Sequence, residues 1–266
     1  MSSKENIILE KRFYQMYING KFVANKETTP VINPSDKKII SYIPKGTVED
    51  AKAAIDAADA AQDSWGKLPA VERGDFLRKI AQKIRENADM LARTITEEQG
   101  KVLSLAEVEV NFTADYLDYM AEWARRYEGE IIQSDRPNEN IFLFKLPIGV
   151  ATGVLPWNFP FFLIARKLAP ALLTGNTIVI KPSGETPNNA FEFAKLVDEI
   201  GLPKGVFNLV SGSGSTIGNE LAGNDKVGIV SFTGSVPTGV KIMEAAAKNV
   251  TKVSLELGGK APAIVM

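Results

Sequence analysis

The chain has 266 residues, 45% of them apolar, with 31 basic and 32 acidic side chains and a formal net charge of −1. That length buries a sizeable core, as two domains or as one domain with a substantial appendage, and near-neutral charge leaves no electrostatic footprint for nucleic acid or an anionic membrane. Cysteine and histidine are both absent, which excludes disulfides, Cys/His zinc sites, a cysteine nucleophile and every histidine-based triad within these residues.

The first twenty residues have no sustained apolar core and no small-residue cleavage signal, so no secretory peptide is expected. The longest apolar stretch, FFLIARKLAPALL, is interrupted by Arg166, Lys167 and Pro170, well short of the ~20 residues that span a bilayer. A cytoplasmic address, no membrane or nucleic-acid partner and no metal site are the expectations.

In chain order, residues 17–23 predict a hairpin, with Asn19-Gly20 supplying the positive φ angles of a type I′ turn. A short extended piece follows over 38–43. Thr47 ahead of Val48-Glu49-Asp50 gives a capping-box-like start to a helix through DAKAAIDAADAAQDSW. A second helix spans about 70–99, on the spacing of Phe76, Leu77, Ile80, Ile84, Ala88, Leu91 and Ile95, and Gly100 ends it. A third covers about 104–128, with Val108, Phe112, Leu117, Met120 and Trp123 as its expected core stripe. Residues 1–128 thus form a helical N-terminal part. Residues 129–149 predict two strands around an Arg-Pro-Asn turn, which read either as an arm joining subunits or as an ordinary hairpin.

From Val150 to the end the chain alternates strands and helices. GVATGVLP, TIVIKP, VFNLVSG, VGIVSFTG and VSLELGG are five short strands rich in β-branched residues, with helical segments between them. The fold expected is α/β: an open, mostly parallel five-stranded Rossmann-like sheet over 150–266, helices on both faces, plus the N-terminal helices and the projecting β-arm. Ligands of such sheets bind at the carboxyl ends of the strands, and four motifs sit there.

Gly212-Ser213-Gly214-Ser215-Thr216-Ile217-Gly218 follows a strand and opens a helix; it reads as a phosphate cradle or as a flexible turn. Phe232-Thr233-Gly234-Ser235 repeats the arrangement one strand later, and Ser235 either caps its helix or hydrogen-bonds a pyrophosphate. In Pro156-Trp157-Asn158-Phe159-Pro160 two prolines fix the backbone around Asn158, whose amide suits an oxyanion hole, or simply caps the turn. Lys181-Pro182-Ser183 offers an amine for a ribose or phosphate, or a solvated lysine. In Leu255-Glu256-Leu257 a carboxylate lies between apolar neighbours, where burial would raise its pKa and fit it to activate water; the alternative is a Glu paired with a nearby lysine.

PWNFP, KPS, GSGSTIG, FTGS and ELGGKAP, in this order, resemble the ordered signature of the aldehyde dehydrogenase superfamily, and the resemblance covers essentially the whole chain. FTADYLDYMAEWARRYEGEIIQSDRP and PWNFPFFLIARKLAPALLTGNTIVIKPS are most similar to the bacterial lactaldehyde (glycolaldehyde) dehydrogenase branch. The resemblance implies NAD(P)-dependent oxidation of a small aldehyde, such as a 2-hydroxyaldehyde, to the acid. In that chemistry a cysteine thiolate attacks the aldehyde, hydride passes to the nicotinamide, and a glutamate activates water to hydrolyse the thioester. It further implies Asn158 as the oxyanion-hole amide and Glu256 as the residue that activates water. Lys181 falls at the adenosine ribose, Gly214 and Gly218 at the turn beside the cofactor, and Ser235 at the pyrophosphate. Pro156, Trp157, Ser183 and Leu257 fall in the remaining cofactor-binding motifs, and Lys167 beneath the active site.

Arg166, eight residues after Asn158, lies near the same helical face. It reads as a selector of 2-hydroxyaldehydes through charge-assisted hydrogen bonds, or as an arginine paired with an acid. The pattern breaks twice. Gly184 stands where the family usually has a glutamate that favours NAD over NADP, so NAD is expected with NADP left open. The nucleophile-bearing domain is expected beyond Met266. The chain then reads as the front half of a longer enzyme, as one half of a split enzyme, or as a non-catalytic NAD-binding module. The complete enzyme is expected to be a homo-oligomer, a dimer or tetramer.

Overall fold

The computed structural model describes residues 12–266. Its first strands are short: β1 (Arg12–Phe13), β2 (Met16–Ile18) and β3 (Lys21–Val23). Asn19 and Gly20, with φ of 52° and 69°, make the expected tight turn between β2 and β3. Next come β4 (Thr28–Ile32) and β5 (Ile39–Pro44), which with β1 form a small sheet in the order β1-β5-β4. Of this sheet the sequence pattern anticipated only the piece around β5.

Helix α1 (Val48–Lys67) starts on a complete capping box. The Asp50 N–H donates to Thr47 Oγ1 at 3.3 Å, and the Thr47 N–H donates to Asp50 Oδ2 at 2.8 Å. Thr47→Ala removes one half of this reciprocal pair and is expected to cost about 1 kcal/mol of folding stability. The urea midpoint reports it; an unchanged midpoint would mean the cap contributes nothing.

The helix expected over 70–99 is two helices, α2 (Ala70–Glu86) and α3 (Ala88–Gln99), divided at Asn87. Asn87 Nδ2 donates to the Lys83 carbonyl at 2.9 Å, so the side chain competes with the helical ladder. Gly100, at φ 78°, closes α3 as expected. Helix α4 (Leu103–Glu122) buries Ala106, Glu109, Val110, Thr113, Ala114, Leu117 and Ala121; of the expected stripe Leu117 is buried and Met120 packs against the core. Val108, Phe112 and Trp123 are exposed. Small residues let α4 approach α2, α3 and α5 closely, and its bulky residues then face outward.

The arm is the two-stranded hairpin β6 (Glu130–Gln133) and β7 (Asn140–Leu143), every residue of which is exposed. Strands and helices then alternate: β8 (Val150–Val154), α5 (Phe162–Leu173), β9 (Thr177–Lys181), α6 (Asn188–Glu199), β10 (Phe207–Leu209), α7 (Asn219–Gly223), β11 (Val227–Gly234), α8 (Val236–Ala247) and β12 (Lys252–Leu257).

The main sheet has seven strands, ordered β12-β11-β8-β9-β10-β2-β3. The five expected strands are parallel throughout. The hairpin β2-β3 adds two more, with β2 antiparallel to β10 through Leu209 and Tyr17. This corrects the five-strand expectation: all three residues of β2 are buried, and pairing with β10 covers them. Chain direction across the sheet reverses between β8 and β11, the place where doubly wound sheets open a crevice for a ligand.

Both faces of the sheet are covered. Ile178 and Ile180 of β9 join a core with Phe161, Leu168, Leu172 and Phe193. Val179 between them points to a second core with Ile55, Ile217, Val230 and Ile242. That two-residue alternation is why the strands read as continuous apolar runs. Among the described residues no helix is long and apolar enough to cross a membrane.

Candidate functional site

The carboxyl ends of β8, β9, β11 and β12 carry the motifs, and each is held by its own local chemistry. After β8 the chain turns through Pro156–Pro160, where the Leu155 N–H bonds to the Lys181 carbonyl at 3.0 Å and ties the end of β8 to that of β9. Asn158 is exposed, and its side-chain amide has no hydrogen-bond partner among the described residues. Its backbone is held by more than prolines. Gln99 Nε2 donates to the carbonyls of Trp157 (2.9 Å) and Asn158 (2.7 Å), Lys101 Nζ donates to the Asn158 carbonyl (3.2 Å), and Thr186 Oγ1 donates to the Trp157 carbonyl (3.3 Å). Helix α5 begins where Glu109 Oε1 accepts the N–H groups of Phe161 (2.9 Å) and Phe162 (3.1 Å).

Gln99, Lys101 and Glu109 were not singled out from the sequence. One signal was available: Glu109 is a charged residue amid the small buried positions of α4, and a buried carboxylate demands partners. Glu98 was missed as well. It accepts the N–H of Asn188 (2.6 Å), the N–H of Asn189 (3.0 Å) and the Asn189 side-chain amide (2.5 Å), fixing the start of α6.

Lys181 ends β9 and is buried, contrary to the solvated alternative. Its ammonium donates to the Pro182 carbonyl at 3.2 Å, and burial lowers its pKa to about 8. Ser183 Oγ accepts the Glu185 N–H at 3.2 Å. A Cβ at Gly184 would meet nothing within 4 Å, so packing does not require glycine there. Glu185 is exposed and lines a cavity of about 530 Å³ with Trp157, Glu98 and Thr186.

After β10, Ser213 Oγ accepts the Thr216 N–H at 3.2 Å, and Gly214–Gly218 form a single wide π-type turn leading into the five-residue α7. The sequence pattern anticipated a helix directly at the glycines. A Cβ at Gly214 or Gly218 would also meet nothing within 4 Å. Both glycines face a cleft of about 830 Å³ that Thr216, Thr238, Lys241 and Ile242 also line; Lys181 is not among its lining residues. Such an open, glycine-edged cleft fits an adenosine-sized group. Ser235 caps α8, accepting the Thr238 N–H at 3.4 Å.

Lys167 lies beneath β8 and β11. Its ammonium donates to Ser231 Oγ (2.9 Å) and Thr233 Oγ1 (3.0 Å). Gly153 makes room for it, because a Cβ there would stand 3.1 Å from the Lys167 side chain and 2.5 Å from Ile180. Burial, reinforced by Arg166, lowers the Lys167 pKa to about 8, with Glu256 opposing. Arg166, Lys167 and Glu256 share a cavity of about 390 Å³ with Tyr116, Ser231 and Ser254.

Glu256 differs from its expectation. Its side chain is 62% exposed and pairs with Arg166, Nη2 to Oε1 at 3.4 Å. It stands near the end of β12, which among the described residues pairs only with β11. The partner of Glu256 is thus an arginine rather than a lysine, and Arg166 adopts its acid-paired alternative. Leu257 is 40% exposed and stands over Gly239, where a Cβ would come within 2.8 Å of it. Trp157 is exposed and Pro156 half-buried.

Comparison with known proteins adds relatives to this geometry. The Aldehyde dehydrogenase family profile matches residues 22–266. Lactaldehyde dehydrogenase of Escherichia coli strain K12 is 68% identical over 95% of this chain and 53% of its own length. Its crystal structure superposes with a TM-score of 0.94 at 66% identity, over 95% of this chain and 54% of that one. A 3,6-anhydro-L-galactose dehydrogenase solved in complex with NAP gives a TM-score of 0.93 at 44% identity, over 96% and 54%. Betaine aldehyde dehydrogenase from Staphylococcus aureus, solved in complex with NAD+, gives 0.90 at 41%, over 92% and 51%. The chain spans about half the length of the curated relatives it matches.

Proposed function

This chain belongs to the aldehyde dehydrogenase family, and on that premise we propose that it forms the NAD(P) site and part of the catalytic site for oxidising a small 2-hydroxyaldehyde, such as lactaldehyde, to its acid. The observation that carries the reading is the placement of a held but unpartnered Asn158 amide after β8, a buried Lys181 ending β9 and Glu256, paired with Arg166 of α5, near the end of β12, all along the carboxyl edge of one parallel sheet. The 68% identity to a lactaldehyde dehydrogenase supports the substrate class.

Gly214, Gly218 and Ser235 would hold the dinucleotide's phosphate side, Lys181 and Ser183 its ribose, and Pro156, Trp157 and Leu257 its path toward the catalytic end. The nicotinamide supplies a hydride acceptor when bound. Asn158 donates its amide N–H to the oxygen that gains charge as a thiolate adds to the aldehyde carbonyl. These 266 residues contain no cysteine, so the thiol is not theirs. Glu256 takes a proton from the water that hydrolyses the thioester. Lys167, hydrogen-bonded to Ser231 and Thr233, orders the end of β11 above it. Arg166 turns from Glu256 toward the substrate's hydroxyl. The arm serves assembly into a homo-oligomer: Ile131, Phe142 and Phe144 are exposed apolar residues along it. NAD is the preferred cofactor on resemblance. With Gly184 in open space, no carboxylate there opposes a 2′-phosphate.

Titration with NAD and NADP, followed by calorimetry, tests the cofactor site in this chain directly. Lys181→Met is expected to weaken binding about tenfold, the equivalent of one charge-assisted hydrogen bond; no binding by the unmodified chain would end the reading. The substrate assignment is tested by fusing residues 1–266 to the remaining part of the Escherichia coli relative. In that fusion Arg166→Leu is expected to raise KM for lactaldehyde about tenfold and leave propanal nearly unchanged. Equal effects on both aldehydes would remove Arg166 from substrate selection.

A further inference from the structure

The turn that carries Asn158 is gripped from outside the sheet. Gln99, the last residue of α3, places one nitrogen against two consecutive carbonyls, those of Trp157 and Asn158. Two residues on, across the left-handed Gly100, the Lys101 ammonium reaches the Asn158 carbonyl. The same ammonium sits 4.0 Å from the centre of the Phe159 ring and 2.5 Å from Glu109 Oε2. The other oxygen of Glu109, a fully buried carboxylate, takes the N–H groups of Phe161 and Phe162. Carbonyls within the turn and amides just after it are therefore held by a group of three side chains.

The orientation of the Gln99 amide is settled by its partners. Two carbonyls face its nitrogen, so that atom donates. Its oxygen is left buried with no partner, an arrangement that costs stability. A glutamine kept only for packing would be better replaced by an apolar side chain of the same size.

We propose that Gln99, Lys101 and Glu109 are positioning residues for the Asn158 amide, holding its backbone still so that the amide is preorganised before charge develops. This rests on the reading of Asn158 as the amide that meets the developing oxyanion. Preorganisation is the source of such a donor's effect, since a fixed dipole need not reorient during the reaction.

Gln99→Met separates positioning from stability, because it removes the donors and the unpartnered oxygen together while keeping the volume. Backbone nitrogen-15 relaxation of this chain is the readout. The order parameter at Asn158 is expected to fall from about 0.85 to below about 0.6, with Val179 at the centre of the sheet unchanged and the melting temperature preserved. An unchanged Asn158 would overturn the proposal, and so would an equal fall at Val179, which would mean general loosening. If the methionine variant fails to fold, Gln99→Glu gives the same comparison, since it keeps the shape and presents oxygen to both carbonyls. Cofactor titration of the unmodified chain is read separately: absence of binding would end the functional reading and leave the order-parameter comparison standing.

Discussion

Lys101→Met is expected to lower folding stability by about 3–5 kcal/mol, the cost of leaving a buried carboxylate without its counter-ion. The Glu109 side chain is fully buried and that of Lys101 is 11% exposed, so little water reaches either to screen or replace the contact. The two N–H groups of Phe161 and Phe162 remain on Glu109 in the variant. They are neutral dipoles and compensate only part of the lost charge. The second change Glu109→Gln is expected to recover most of the loss, because Gln Oε1 still accepts both N–H groups and no charge remains to be buried. Urea unfolding of the single and double variants, with unchanged m-values, measures both terms. A single-variant loss below about 1 kcal/mol would place the pair among ordinary surface ion pairs and overturn this account.

This pair also marks the boundary of what the sequence discloses. The five parallel strands were legible because each is a short β-branched run bounded by turn residues, and their motifs fall at the carboxyl ends as the parallel arrangement requires. The Thr47 cap and the Asn19-Gly20 turn were legible because a single local interaction decides each. What failed was long-range. No local pattern shows that β2 pairs with β10, almost two hundred residues away. The stripe of α4 was misread because bulky residues weigh most in a periodicity argument, whereas close helix packing is made by small ones such as Ala106, Ala114 and Ala121.

The candidate site divides in the same way. Residues at or just beyond the carboxyl ends of strands, such as Asn158, Lys181 and Glu256, could be named from motif order. The residues that hold the Asn158 turn could not, because Gln99 and Lys101 lie 59 and 57 residues from it in the chain. Glu256 shows a further limit. Its apolar neighbours suggested burial, yet Leu255 and Leu257 flank it along an edge strand, where alternate side chains point to opposite faces and do not enclose one another.

Between about pH 5 and about pH 7 this chain is expected to become less stable as the pH rises, and Glu98 is the reason. Burial pushes its carboxyl up to about 8, against the pull of the Asn189 and Asn188 donors that favour the charged form. In the unfolded chain the same carboxyl titrates near its ordinary value of 4.5. The folded state therefore holds a proton through this window that the unfolded state has released. Unfolding releases that proton, so the stability Glu98 contributes is complete below about pH 4.5 and is lost as pH rises through about 8. The slope approaches about 1.4 kcal/mol per pH unit. Lys167 and Lys181, both lowered to about 8, act above this window: there the folded-state lysines give up protons that the unfolded-state lysines keep, so stability recovers as pH rises further. The exposed carboxylates whose values are lowered, such as Glu27 and Asp89, act only below it. Denaturant midpoints at half-unit steps from pH 5 to 7 isolate the effect, and Glu98→Gln, which cannot titrate, is expected to flatten it. A wild-type curve that is level or rising across the window would mean that the three N–H donors outweigh desolvation and keep Glu98 charged.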